Sequence, residues 1–238
     1  MPSMARNDPR QYDELADQWW HPGGGFEMLH WLAAARAALI PAAQRPGAVL
    51  VDAGCGGGLM APHVAGKGYR HVGVDLGRTG LRMAATHGVQ PVNGDVTALP
   101  LADGAADVVA AGEILEHVTD LPATVAELSR VLRPGGLVVI DTVNDNALSR
   151  FITVTAGERL GFAPPGIHDA SLFVHPRRLI AEFARHGVRL RVHGARPTLG
   201  GLLRWRVLRR EHTGGRIVRS GLTAVLYQGT GRKDGERP

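Results

Sequence analysis

The chain has 238 residues, 44% of them hydrophobic, with 27 Lys and Arg against 22 Asp and Glu for a formal charge of +5, enough length for one sizeable domain with its own core. Aromatics are 5%, and no basic run is interleaved with them as in a single-strand groove, so no nucleic-acid partner is expected. One cysteine, Cys55, excludes an intramolecular disulfide and a cysteine-based zinc site; with no signal-peptide h-region and no apolar run near ~20 residues, the expected location is cytoplasmic.

Residues 1–41 read as a helical segment broken at HPGGG (21–25). A domain over 42–230 then alternates two periodicities. AVLVD (48–52), HVGVD (71–75), VQPVNGD (89–95), AADVVAAG (105–112) and LVVID (137–141) are short apolar strands. The stretches between them read as helices, the last with a stripe at Val125, Leu128 and Leu132. Strands alternating with helices imply βαβ units, hence an α/β fold with a mainly parallel, doubly wound, Rossmann-like sheet. A segment at 147–173 interrupts this rhythm. A helix (176–186), a strand (188–193), a basic stretch (204–219), a final strand (222–229) and a disordered tail over 231–238 complete the expectation.

VDAGCGGGL (51–59) joins the first strand to the first helix of the alternation. Glycines such as Gly54 and Gly56 let backbone approach a ligand at the end of a strand. The G-K-[ST] of a phosphate-cradling loop is absent, while a dinucleotide pattern survives if counted from Gly56. Charge separates the two ligand classes. Asp52 beside the loop repels a diphosphate and attracts a cation such as the sulfonium and ammonium of S-adenosylmethionine (SAM). Asp75, ending the second strand, suits ribose hydroxyls in either ligand. Asp95, in NGDV, suits the adenine amino group.

GEILEHV (112–118) follows the fourth strand. In a helical continuation Glu113, Glu116 and His117 share one face, where two carboxylates and an imidazole call for a positive partner. One reading is a divalent cation: the oxygens suit Mg2+, and the nitrogen admits Zn2+ or Mn2+. Another makes His117 a metal-free general base toward an acceptor hydroxyl, and a third makes the cluster structural.

VDAGCGGG, GVDLG, NGDV, ILEHV and LRPGG, in this order, resemble the class I SAM-dependent methyltransferases. With YDELADQWWHPGGGFEMLHWL, TVNDN and PPGIHDASLF they resemble, more narrowly, the ubiquinone-biosynthesis O-methyltransferase family, from about Tyr12 to Phe173. The resemblance implies SAM as cofactor, with Arg36, Gly54, Asp75 and Gly112 at cofactor-contacting positions. It implies that Arg36 pairs with the SAM carboxylate. GVDLG and NGDV add Leu76 and Val96 to the cofactor set. It further implies that E-x-x-E-H is a metal-binding segment, and that the acceptor is a catechol-like hydroxyl, prenylated in the family. A small phenolic metabolite as acceptor and an NAD-dependent oxidoreductase are the alternatives.

In the segment 147–173, Leu148, Phe151, Ile152, Leu160 and Phe162 can share an apolar helical face flanked by Arg150 and Arg159. Such a helix is a lid over the substrate or a peripheral contact with the inner face of a membrane. The family resemblance implies the lipid contact. His168 and Asp169, after Pro164 and Pro165, either shape the acceptor pocket or make a structural hydrogen bond.

Overall fold

The structure is a computed structural model that describes residues 5–206 and 214–235. Its centre is a set of apolar strands whose successive residues enter two different cores. In β1 (Val49–Ala53) Val49, Val51 and Ala53 pack into one core, and Leu50 into the other. In β4 (Ala106–Gly112) Val109 and Ala111 face the first core, while Val108 and Ala110 face the second. A strand buried on both faces needs helices on both sides of the sheet, at about 1.5–3 kcal/mol for each large side chain removed from water.

The sheet has eight strands in the order β3-β2-β1-β4-β5-β8-β6-β7. β2 (Arg70–Asp75), β3 (Gln90–Asn93) and β5 (Leu132–Val143) pair in parallel with their neighbours around β1 and β4. β3 tolerates Pro91 because it is the edge strand. β6 (Val188–Pro197), β7 (Ile217–Ser220) and β8 (Leu226–Lys233) form an antiparallel extension. The Rossmann-like doubly wound class expected from the sequence is the class observed.

Helices α5 (Leu121–Val131) and α7 (Pro176–Arg185) cover the first core through Val125, Leu128, Leu179 and Phe183. α5 begins where Asp120 accepts from the Ala123 N–H. It ends at Val131, so Leu132, the third member of the expected stripe, already belongs to β5. The second core is covered by α2 (Glu27–Ala38), whose Ala33 and Ala37 pack beside Trp19 and Phe26. α1 (Arg10–Glu14) precedes α2. α3 (Ala61–Val64) and α4 (Arg78–Thr86) complete the first two βαβ units.

Two expectations fail near the C-terminus. The last strand starts at Leu226 rather than 222 and runs through Gly231, Arg232 and Lys233, three residues of the expected disordered tail. β8 is an interior strand, paired with β5 on one side and β6 on the other. Ladder bonds on both edges hold a polar sequence that has no strand pattern of its own. Lys233 Nζ also donates to the carbonyls of Ser129 and Leu132. The basic stretch expected over 204–219 ends α8 (Leu199–Arg206) and forms β7, with 207–213 outside the described residues, as are 236–238 of the expected tail.

The interrupting segment opens with α6 (Ala147–Arg150), held by a reciprocal cap between Asn146 and Ser149, and continues as π-helical turns over Phe151–Gly157. Among the described residues no helix is long and apolar enough to cross a membrane.

Candidate active site

The parallel strands deliver their C-terminal ends to one cavity of about 720 Å³. Arg36, Asp52, Gly54, Gly56, Asp75, Leu76, Asp95, Val96, Gly112, Glu113 and His117 all line it. Of the site residues named from the sequence, Glu116 does not line it, and neither does Asp169, whose Oδ1 accepts from the N–H and hydroxyl of Ser171.

The glycine loop turns at left-handed φ values, 72° at Gly54 and 50° at Gly56. A Cβ on Gly54 would come within 2.6 Å of the Ile114 side chain, and one on Gly56 would collide with the Trp19 indole. The loop is therefore pressed between the turn after β4 and the N-terminal arm, and no side chain fits between. Asp75 ties the loop to the next strand: its Oδ2 accepts from the Gly56 N–H at 2.8 Å and its Oδ1 from the Gly77 N–H at 2.7 Å. Burial raises the Asp75 pKa, and these two amides oppose the rise. Leu76 follows at the rim, 55% exposed, with an apolar face open to a ligand. Asp95 Oδ1 accepts from the N–H and hydroxyl of Thr97.

Arg36 reaches the floor of the cavity from α2. Its Nη1 donates to Asp141 Oδ1 at 2.6 Å, in a pair with side-chain exposures of 9% and 0%. Burial opposes the charge, but Asp141 and Asp52 outweigh it, so the guanidinium pKa is raised. Arg36 Nε is buried without a partner among the described residues. A buried N–H without an acceptor suits an anionic ligand group arriving from the cavity. Asp52, buried in β1, lies 3.4 Å from His71 Nε2. Anionic oxygens close to a lone guanidinium fit a ligand carrying both cationic centres and a carboxylate, which is the charge pattern of SAM.

GEILEHV does not continue as a helix. Glu113 takes φ 52° and the segment turns, so the expected single face does not form. Glu116 points into the protein, where its Oε2 accepts from the Thr142 hydroxyl at 2.7 Å. Burial raises the pKa of Glu113, and Glu116 and Asp141 raise it further; burial likewise pushes Glu116 up to about 7. Two buried carboxyls side by side are best served by sharing a proton. His117 is engaged at both ring nitrogens, by Asn7 and by Tyr12. Among the described residues no three His, Cys, Asp or Glu side chains converge as a metal ligand set. The single helical face expected for Glu113, Glu116 and His117 is therefore corrected: the turn leaves Glu113 and His117 on the cavity and sends Glu116 into the protein.

His117 is held from three sides. Asn7 Oδ1 lies 2.6 Å from Nδ1, Tyr12 Oη lies 3.2 Å from Nε2, and the His168 ring stacks on it at 5.4 Å between centroids. Burial, with His168 adding to it, lowers the His117 pKa to about 3. Burial also lowers that of His168 to about 4. Both imidazoles are neutral near pH 7.

The sequence reading missed Asn7 and gave no role to Tyr12, Trp19, Trp20 or Phe26. Trp19 covers Gly56 and Gly57, and Trp20 Nε1 donates to the Gly57 carbonyl at 2.9 Å. Trp19 also packs on Phe26 at 4.6 Å. The WW pair was visible in the sequence, but nothing local to it points to the glycine loop. Asp141 was missed too, although it lies near the C-terminal end of its strand as Asp52 and Asp75 do.

A family model for a methyltransferase domain matches residues 51–140. The ubiquinone biosynthesis O-methyltransferase of Ralstonia nicotianae is 36% identical over 195 residues, covering 77% of this chain and 82% of the relative. That of Cupriavidus pinatubonensis is 36% identical over 197 residues, covering 78% and 79%. A SAM-dependent methyltransferase from Thermotoga maritima shares the fold at TM-score 0.64 and 16% identity, with 94% and 97% of the two chains covered. The [4+2]-cyclase SpnF shares it at TM-score 0.60 and 17% identity, with 99% of each chain covered. Those two likenesses show the fold alone, whereas the identity to the O-methyltransferases removes the NAD-dependent alternative. The chain is a SAM-dependent methyltransferase of class I and belongs to the ubiquinone biosynthesis O-methyltransferase family.

Proposed function

We propose that the protein transfers the SAM methyl group to the hydroxyl of a catechol-like acceptor bearing an apolar, prenyl-type chain, a quinone precursor. The observation that carries this reading is the continuity of the cavity. Besides the glycine loop and His117 it is lined by Met28, Leu29, Ile152, Phe162, Leu202 and Leu226, an apolar share of the lining. An aromatic head bearing its hydroxyl at His117 leaves that apolar lining for a chain. The relatives, ubiquinone biosynthesis O-methyltransferases, support the same acceptor class.

In this reading Arg36 holds the SAM carboxylate, Asp52 faces its ammonium and Asp75 accepts from the ribose hydroxyls. Leu76 and Val96 pack on the adenine, Asp95 accepts from its amino group, and Gly54, Gly56 and Gly112 make room. SAM supplies an electrophilic methyl. The acceptor O–H gives its proton to His117 Nε2, the O–CH3 bond forms and the S–CH3 bond breaks, leaving S-adenosylhomocysteine. The sulfonium charge disappears as an imidazolium charge appears, so the total charge of the cavity is unchanged. In a buried site that avoids the large cost of creating an uncompensated ion.

Leu148, Phe151, Ile152 and Leu160 are exposed on the segment 147–173, Phe151 at 59%. Arg150 and Arg159 belong to the same segment. This supports a peripheral membrane contact through which a bilayer-borne acceptor enters. Ala195, Pro197, Leu202 and Val225 line the cavity from beyond the resemblance, which favours a second reading: the same chemistry on a small, unprenylated phenol.

The test is methyl transfer from labelled SAM to short-prenyl and unprenylated catechols, each with Mg2+ and with EDTA. Faster transfer to the prenylated acceptor is the expected result. Transfer only to the unprenylated catechol moves the protein to the second reading. No transfer to either, with SAM still bound, overturns the acceptor class. Transfer lost with EDTA and restored by Mg2+ would place a divalent cation at Glu113 and His117, whereas transfer surviving EDTA leaves His117 to act without one.

A further inference from the structure

Asn7 joins the N-terminal arm to both the turn after β4 and the segment before α7. It sits at φ 60°, and its N–H donates to the Gly166 carbonyl at 2.9 Å. Its side chain grips His117 at two points. Nδ2 donates to the His117 carbonyl oxygen at 2.9 Å, and Oδ1 lies 2.6 Å from the ring Nδ1. The first bond decides the second: a flipped amide would set oxygen against the carbonyl and NH2 against the ring. With Oδ1 toward the imidazole, Nδ1 is the nitrogen that carries the proton. Nε2 then holds the lone pair, and the Tyr12 hydroxyl donates to it at 3.2 Å. His168 stacks on the ring, and among the described residues its Nδ1 has no hydrogen-bond partner.

We propose that Asn7 is a positioning residue that locks His117 in its Nδ1–H tautomer and so keeps the Nε2 lone pair beside Tyr12. The lock rests on the hydrogen bonds alone, and its effect on turnover rests on the reading of His117 given above. A ring in the other tautomer presents an N–H in place of that lone pair, and no rotation of the ring restores it while Asn7 keeps its bond to the backbone.

The experiment uses the full chain labelled with 15N at histidine, as wild type, Asn7→Gly and Asn7→Asp, with His117→Gln to assign the resonances. Glycine keeps the left-handed backbone and the bond to Gly166 while removing the amide. Aspartate also tolerates that backbone and keeps an acceptor at Nδ1. Wild type and Asn7→Asp are expected to show an unprotonated Nε2, and Asn7→Gly a mixture of tautomers. Turnover with labelled SAM on the active catechol is expected to fall at least tenfold in kcat for Asn7→Gly and much less for Asn7→Asp. SAM affinity should stay within about twofold in both, and the acceptor KM should move less than kcat. An Nε2–H tautomer in the wild type, or an unchanged tautomer in Asn7→Gly, overturns the lock. Equal losses of kcat in the two variants with unchanged tautomers make Asn7 an anchor of the arm only. A shifted tautomer with undiminished kcat overturns His117 as the proton acceptor and leaves the lock itself standing.

Discussion

The Arg36 guanidinium occupies the space that a side chain on Gly112 would fill, and from there its Nη1 reaches Asp141 at 2.6 Å. The last residue of β4 is thus a notch for an arginine that comes from α2. Gly112→Ala places a Cβ on the guanidinium, and a displaced Arg36 leaves Asp141 as a buried lone charge. The expected cost is about 3–5 kcal/mol of folding stability, read by urea denaturation. SAM binding should be lost along with it. An unchanged midpoint and unchanged SAM affinity would show that Arg36 has another route to Asp141.

Asp75 receives the amides of Gly56 and Gly77. An asparagine there can accept from one amide and must turn its own NH2 toward the other. Asp75→Asn and Asp75→Ala should each weaken SAM binding by roughly 10- to 100-fold, the worth of one or two charge-assisted bonds. Calorimetric titration checks this. Wild-type affinity in the asparagine variant would mean that the carboxylate holds neither loop nor ligand.

Trp19 lies on Gly56 and Gly57 and packs against Phe26. Trp19→Ala removes a large buried side chain and uncovers the loop. Stability should fall by about 3–5 kcal/mol, and SAM should dissociate faster than from wild type in stopped-flow chase. A slower or unchanged off-rate, with stability lost, would confine Trp19 to the core.

Glu113 and Glu116 have raised pKa values, by burial first and by neighbouring carboxylates. Folded carboxyls of this kind hold protons that the unfolded chain has released. Their contribution to stability is complete below the ordinary glutamate range, near 4.5, and is lost as pH rises toward and through neutrality. Glu113→Gln removes one such titration. The variant should therefore gain on wild type as pH rises from 5 to 8 in urea denaturation. The lowered pKa values of His117 and His168 act in the opposite sense, costing stability as pH falls below 6.5, and they cancel in the comparison of the two proteins. A difference that stays constant across that range contradicts the shared proton.

The βαβ alternation, the glycine loop and the acids ending β1 and β2 were legible in the residues, because each is local. A strand buried on both faces needs a continuous apolar run, and a tight turn at the strand end needs glycine. Charge near that loop separated a cationic cofactor from a diphosphate for the same reason: Asp52 adjoins the loop in the chain as it does in space. GEILEHV was misread as one helical face because the chain reverses at Glu113, and its φ of 52° is set by packing and not by residue type. β8 was cut short at Gly229 because GRK has no strand propensity, and only its two neighbours make it a strand.

What the sequence by itself determined is the scaffold and the cofactor half of the site, where structure and ligand follow from residues close together along the chain. What only the tertiary structure decided is which distant residues meet at that site, in the acceptor half and in the anchoring of Arg36. Asn7 and His117 are separated by 110 positions, and Arg36 and Asp141 by 105. Such pairs leave no periodicity or spacing to read, since they exist only after the sheet has brought its strand ends to one cavity and the N-terminal arm has closed over them.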